Sequence, residues 1–201
     1  MNTMWKAMTL AGAIGLAPGW GPAVAADGTS SAGVQGAWRL DQSASDSFED
    51  TLEATAERRS AGFREGRLIP DAAGFKREKK ARRRRFEAVS RIAAAEAIDI
   101  AGYREVTITY DGQVTRTLAP NPNGRVYSAS GDELVKDEFG YTLSFWIKGV
   151  LVVETNDDRG IKMTERYRFK PDTAQLVVSI SVKSSGGKPM DVLRVFDRAG
   201  G

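Results

Sequence analysis

The chain has 201 residues, with 29 Lys and Arg against 26 Asp and Glu for a net charge of +3, and it contains no histidine and no cysteine. Without cysteine there are no disulfides, thiol nucleophiles or thiolate metal sites; without histidine the usual general base near neutral pH, the commonest zinc nitrogen ligand and every Ser/His/Asp or Cys/His arrangement are excluded. Catalysis would fall to carboxylates, lysine, tyrosine or serine alone, so the expectation is a non-enzymatic protein with no metal and no cofactor.

The first 26 residues read as an export signal. Lys6 is their only charge, Ala7 to Leu16 is apolar, Pro18, Gly19, Gly21 and Pro22 break the run, and small residues follow from Ala23 to Ala26. Cleavage is expected near Ala25/Ala26, giving a periplasmic or secreted product. The apolar run is too short to cross a hydrocarbon core and nothing later is longer, so no transmembrane span is expected in the mature chain. After a flexible lead-in, 27–33, residues 34–201 are expected to form a single domain.

Val34 to Leu40 reads as a first strand. Ser45 or Ser47 then caps a helix with Asp46, Glu49, Asp50 and Glu53 early, Arg58 and Arg59 late, and a stop at Gly62, a charge order that suits the helix dipole. Phe48, Leu52 and Ala56 give it a narrow apolar stripe. Pro70 and Asp71 mark the next boundary, and a second helix is expected over about 75–97. Phe75, Arg82, Phe86, Val89, Ala93 and Glu96 share one of its faces, with Ile92 beside it. The helical insertion thus spans 46–97.

From Ile98 the apolar period changes to two. Val106, Ile108 and Tyr110 lead through an Asp111-Gly112 hairpin turn into Val114 to Leu118. Arg125 to Ser128 reads as a weaker strand. Tyr141 to Ile147 and Val150 to Thr155 flank Lys148-Gly149. Next, Ile161, Met163, Glu165, Tyr167 and Phe169 take one face and Lys162, Thr164, Arg166, Arg168 and Lys170 the other; Leu176 to Val182 and Met190 to Asp197 follow the same rule. The fold class is therefore mainly β with a helical insertion: an antiparallel up-and-down barrel or strongly curved sheet of about 8–10 strands, with two helices between strands 1 and 2.

The segment Lys76-Arg77-Glu78-Lys79-Lys80-Ala81-Arg82-Arg83-Arg84-Arg85 holds eight cations and one anion. Segment 71–97 carries +5 of charge, so the rest of the mature domain is mildly acidic. One basic element on an acidic body argues against nucleic acid, which wants cations spread over a groove with interleaved aromatics. Two readings apply to Lys76, Arg77, Lys79, Lys80, Arg82, Arg83, Arg84 and Arg85: a solvated helix face, or docking to an anionic lipid or lipopolysaccharide surface or an acidic partner, where each cation is worth about 1 kcal/mol.

Gly36-Ala37-Trp38-Arg39-Leu40, the helix pair after Ser45, and the ending Leu193-Arg194-Val195-Phe196-Asp197-Arg198 resemble the lipocalin and fatty-acid-binding-protein superfamily, the calycins. The resemblance implies a first strand feeding a helical lid, and a final strand whose Arg-x-Tyr pair holds a ligand carboxylate. Arg194 matches that arginine; Phe196 stands where the tyrosine is expected.

Glu165 lies between Met163 and Tyr167 on the apolar face, where an unpaired carboxylate is costly. It either pairs with Arg194 as a structural ion pair or joins Arg194, Phe196, Tyr167 and Met163 in lining a cavity for a small amphipathic ligand. Trp38 is expected to plug the base of the barrel; the facing of Trp146 is open. Ser185-Gly186-Gly187-Lys188 matches Ser-x-x-Lys only in a glycine-rich turn, and Asp157-Asp158-Arg159-Gly160 lacks the further oxygens calcium needs. The function expected is therefore an exported binding protein for an amphipathic or lipid-like ligand. The alternative is an envelope accessory protein docking through the basic helix, with a carboxylate enzyme as a third possibility.

Overall fold

The computed structural model describes residues 33–61, 86–126, 134–184 and 189–200. The segment 1–26 expected to be an export signal, nearly all of the expected lead-in, and the basic run 76–85 lie outside the described residues. Ten antiparallel strands follow one another around a nearly closed barrel in the order β4-β3-β2-β1-β10-β9-β8-β7-β6-β5. They are β1 (Gly36–Leu40), β2 (Ala97–Ala101), β3 (Val106–Tyr110), β4 (Val114–Leu118), β5 (Val135–Asp137), β6 (Gly140–Ile147), β7 (Val150–Asn156), β8 (Ile161–Lys170), β9 (Gln175–Ser184) and β10 (Met190–Arg198). Helices α1 (Phe48–Ala61) and α2 (Glu87–Ala93) stand between β1 and β2. No helix among the described residues is long and apolar enough to cross a membrane.

Local chemistry sets the connections. Asp111 and Gly112 both take positive φ, 50° and 66°, as do Lys148 and Gly149 at 48° and 74°. Both are two-residue turns whose twist matches the flanking strands. Asp111 Oδ1 also accepts from the backbone N–H of Glu96 and Ala97, tying the β3–β4 turn to the start of β2. Ser47 caps α1, its Oγ accepting from the Asp50 N–H at 3.2 Å. Phe48 of α1 and Val89, Ile92 and Ala93 of α2 are buried in the main core, so the helical stripes cover one end of the barrel. Trp38 is buried and packs at 6.1 Å from Phe169, while its Nε1 donates to the Val34 carbonyl.

Two sequence expectations change here. The second helix ends at Ala93, not Ala97: Ala97 already belongs to β2, whose Ile98 and Ile100 are buried by pairing with β1 and β3, which outweighs alanine's helical preference. Arg125 and Val126 lie in no strand, and 127–128 are outside the described residues. The strand in this region is instead the three-residue β5, too short to show alternation.

The barrel wall is continuous from β4 round to β5, and its seam lies between those two short strands. Asn121, just past β4, bridges Phe145 of β6 in parallel, accepting from the Trp146 N–H at 2.9 Å and donating to the Ser144 carbonyl at 3.0 Å. Side chains complete the closure.

Candidate functional site

Arg116 projects inward from β4, between Val114 and Leu118 in parity, and is 1% exposed. Its guanidinium reaches four strands. Nε donates to Asp137 Oδ2 of β5 at 3.0 Å, Nη1 to Glu165 Oε1 of β8 at 2.7 Å, and Nη2 to the hydroxyls of Thr142 and Thr155 on β6 and β7 at 2.8 and 2.9 Å. The Phe139 ring lies 5.0 Å beneath it. Tyr167 donates to Glu165 Oε2, and the Tyr110 hydroxyl lies 3.1 Å from that oxygen and 2.6 Å from the Tyr167 hydroxyl.

This electrostatic arrangement is self-contained. Burial, then the negative charge of Glu165, push the phenols of Tyr110 and Tyr167 well above their ordinary range, so both stay protonated donors. Burial alone would lower the pKa of Arg116; Glu165, then Tyr110 and Asp137, outweigh it, and the net shift is upward. The second carboxylate oxygen of Asp137 accepts from the N–H groups of Phe139 and Gly140. The carboxylate oxygens of Glu165 and Asp137 are thus each engaged by a neighbour among the described residues, as buried polar groups require.

The pairing of Glu165 is a correction: its cation is Arg116, not Arg194. Arg194 does point inward from β10, opposite Val178, but it turns toward the helical end. There its Nη1 donates to the Asp46 carbonyl at 2.9 Å and its Nη2 to the carbonyls of Ala95 and Ala94 at 3.1 and 3.4 Å. It clasps the entry to α1 and the exit of α2 onto the barrel. Its Nε is buried with no hydrogen-bond partner among the described residues. Burial lowers its pKa, opposed by the carboxylates of Glu49, Glu96, Asp111 and Asp46. Met163, Tyr167 and Phe196 are buried core residues, Tyr167 joining Glu165 and Phe196 packing in the main cluster. The eight cations of the basic run, Lys76 to Arg85, lie outside the described residues.

Arg116, Tyr110 and Asp137 were absent from the candidates drawn from sequence. The signal for Arg116 was available: Val114, Arg116 and Leu118 share one parity in a five-residue strand, so a core-facing strand had to bury the arginine. Asp137 carried no such signal, because β5 has no pattern of its own. Trp146 faces inward opposite Leu151 and stacks on Tyr103 at 5.4 Å. Leu143 and Phe145, of opposite parity, form a small second cluster on the outer wall with Val152.

The outer wall holds a different chemistry. Lys162, Arg166, Arg168 and Lys170 occupy four of the five outward positions of β8 and are all exposed. Beside Arg166 an open cleft of about 270 Å³ is lined by Asp46, Ser179, Ser181, Asp191 and Leu193 among others.

No protein-family model matches the sequence, and no curated protein matches it either. The ten-stranded, nearly closed antiparallel barrel is compatible with a calycin-like architecture.

Proposed function

We propose that this is an exported, non-enzymatic accessory protein that docks to an anionic envelope surface through cations on its outside, using the barrel as a rigid support. The observation that carries the reading is the interior: Arg116, Glu165, Tyr110, Tyr167, Asp137, Thr142 and Thr155 bond to one another, so the groups that would orient a ligand's polar head are already engaged. An amphipathic ligand held there would have to break buried charge-assisted bonds, at a cost of several kcal/mol. The eight-cation run 76–85 supplies the complementary charge. Co-sedimentation of the mature chain with anionic lipid vesicles, and separately with lipopolysaccharide, tests it. Binding at low salt that fades as salt is added is expected; no binding to either at low salt overturns the reading.

One observation favours a second reading, a ligand-carrying barrel of the lipocalin or fatty-acid-binding kind. The buried Nε of Arg194 lacks an acceptor among the described residues, and a ligand carboxylate entering at the helical end would supply one. Its test is displacement of a fluorescent fatty acid. Saturable binding lost in Arg194→Met supports it, and unchanged retention in that variant removes it.

A further inference from the structure

The cations of β8 lie where a sheet would ordinarily balance them across the ladder, and among the described residues none has a carboxylate directly opposite, while Asp46 and Asp191 line the cleft beside Arg166. Across the ladder Lys162 faces Asn156 and Lys183, Arg166 faces Val152 and Ser179, Arg168 faces Val177, and Lys170 faces Gln175. None stands opposite a carboxylate, and Lys162 stands opposite another lysine, a pairing that destabilises a ladder. The one anion nearby on β7, Glu154, faces Thr164 and is bonded to Arg125. None of these five cations takes part in an ion pair among the described residues, whereas Arg91, Arg116 and Arg125 do. Ion pairing within the described fold therefore does not account for the row.

The shape of the wall says what it fits. A barrel is convex across its strands, so a flat body touches it along a narrow band. Successive outward residues of one strand lie about 6.8 Å apart, and the row from Lys162 to Lys170 extends over about 27 Å. Lys183 widens its first end, and the cleft beside Arg166 carries the hydroxyls of Ser179 and Ser181 together with the carboxylates of Asp46 and Asp191, so the positive band is strongest on the β8 side of that cleft. Neighbours on the outer face at the other end are the uncharged Val177 and Gln175. A line of cations that form no ion pair among the described residues, set on a convex wall, is complementary to a planar field of phosphates.

We infer that the outer face of β8, with Lys183 of β9, is a docking surface for the phosphates of an anionic phospholipid bilayer. This rests on the reading above that the protein works from its outside, and it adds a second surface within the folded barrel to the basic run in the sequence.

The test compares three full-length mature proteins: the wild type, the triple variant Arg166→Gln, Arg168→Gln, Lys170→Gln, and a variant with Arg82 to Arg85 replaced by Gln. Each is sedimented with vesicles of phosphatidylcholine containing one quarter phosphatidylglycerol, and with pure phosphatidylcholine. At about fivefold in affinity per cation, the triple variant is expected to bind the anionic vesicles about 100-fold more weakly than wild type, with a shallower salt dependence. Because all three side chains are exposed, its thermal melt is expected to match wild type; should it not fold, Arg168→Gln alone is expected to weaken binding about fivefold. If the triple variant binds like wild type while the Arg82 to Arg85 variant does not, the β8 surface is overturned and the accessory reading stands. If wild type binds lipopolysaccharide but not the anionic vesicles, the bilayer is the wrong partner and this inference falls. If inorganic phosphate releases the protein where chloride of equal ionic strength does not, the row is a discrete phosphate site and the planar surface is again overturned. If wild type binds neither vesicles nor lipopolysaccharide at low salt, both readings fall together.

Discussion

Arg116 and Glu165 meet at 2.7 Å inside the barrel, from strands β4 and β8 that are not neighbours in the sheet. Their contact crosses the interior and, with Asp137, Thr142 and Thr155, fixes the side of the barrel where the ladder is interrupted. A buried pair of this kind need not add net stability, because desolvating two charges offsets their attraction. Removing one partner is a different matter. Arg116→Met leaves Glu165 buried without its cation and is expected to cost about 3–5 kcal/mol. The double variant Arg116→Met, Glu165→Leu is expected to lose less than the single one. Urea unfolding followed by the fluorescence of the buried Trp38 and Trp146 reports both, and a double variant weaker than the single would remove the account of the pair as mutually dependent.

The same network sets an alkaline limit. Tyr110 and Tyr167 have folded pKa values raised by burial and by Glu165, above the value of 10.0 for a free phenol. Above about pH 10 the unfolded chain releases these protons while the folded chain retains them, so the folded state binds more protons and stability falls as pH rises. Each tyrosine adds a slope of about 1.4 kcal/mol per pH unit in that window, and nothing below it. Tyr167→Phe is expected to be less stable at neutral pH, having lost a hydroxyl bonded to Glu165, but to decline more gently between pH 10 and 11. Equilibrium denaturation across that range measures the two slopes; parallel curves would show that Tyr167 ionises alike in both states.

Asp111 joins a turn to a strand start. It holds φ of 50°, and its carboxylate accepts from two backbone N–H groups at 2.9 and 2.8 Å. Asp111→Ala loses both bonds and keeps a positive φ that alanine disfavours, for an expected loss of about 2–4 kcal/mol. Asp111→Asn keeps an oxygen and tolerates the conformation, so its loss is expected to be near 1 kcal/mol. Thermal melts of the two variants separate the contributions, and an Asn variant as weak as the Ala variant would assign the effect to charge.

Much of this fold was legible because alternation is a direct image of a half-buried strand. Met163, Glu165 and Tyr167 announced their facing, and Asp111-Gly112 and Lys148-Gly149 announced their turns. Partnership was harder to see. Arg116 and Glu165 are 49 residues apart, and parity tells which way a side chain points but not which strand lies across a barrel. Arg194 shares the inward parity of Met190, Val192 and Phe196, yet its partners are main-chain carbonyls at the helical end, and carbonyls leave no trace in residue identity. The outward cations of β8 were visible from the start. Their lack of opposing acids depended on the register of β7 and β9, which only pairing reveals.

Arg194 gives the helical end a specific weak point. Its guanidinium holds Asp46, Ala94 and Ala95 by neutral carbonyls, while α1 contacts the barrel chiefly at β10. Arg194→Met keeps the buried stem but removes the donors. Amide hydrogen exchange is expected to quicken in 45–55 and 86–96, with the amides of β7 to β9 nearly unchanged, as local opening requires. Uniform acceleration across the barrel would instead make Arg194 a determinant of global stability.

Gly140 opens β6 in a close backbone approach beside the seam. It has φ of 130°, and a Cβ there would lie 2.2 Å from the Asn156 carbonyl oxygen and 2.8 Å from the Asp157 Cα. Both obstacles are main chain, so no rotamer change relieves them, and the β5–β6 hairpin would have to move. That hairpin carries Asp137, whose Oδ1 accepts from Gly140 N–H and whose Oδ2 holds Arg116. Gly140→Ala is therefore expected to cost about 3 kcal/mol or more. Gly112→Ala, at φ of 66° with no atom near the added Cβ, is expected to cost about 1–2 kcal/mol. If the Gly140 effect runs through Asp137, then adding Asp137→Asn to Gly140→Ala lowers stability by less than Asp137→Asn does alone. Full additivity in urea unfolding would show that the steric clash acts on the hairpin without disturbing the ion pair.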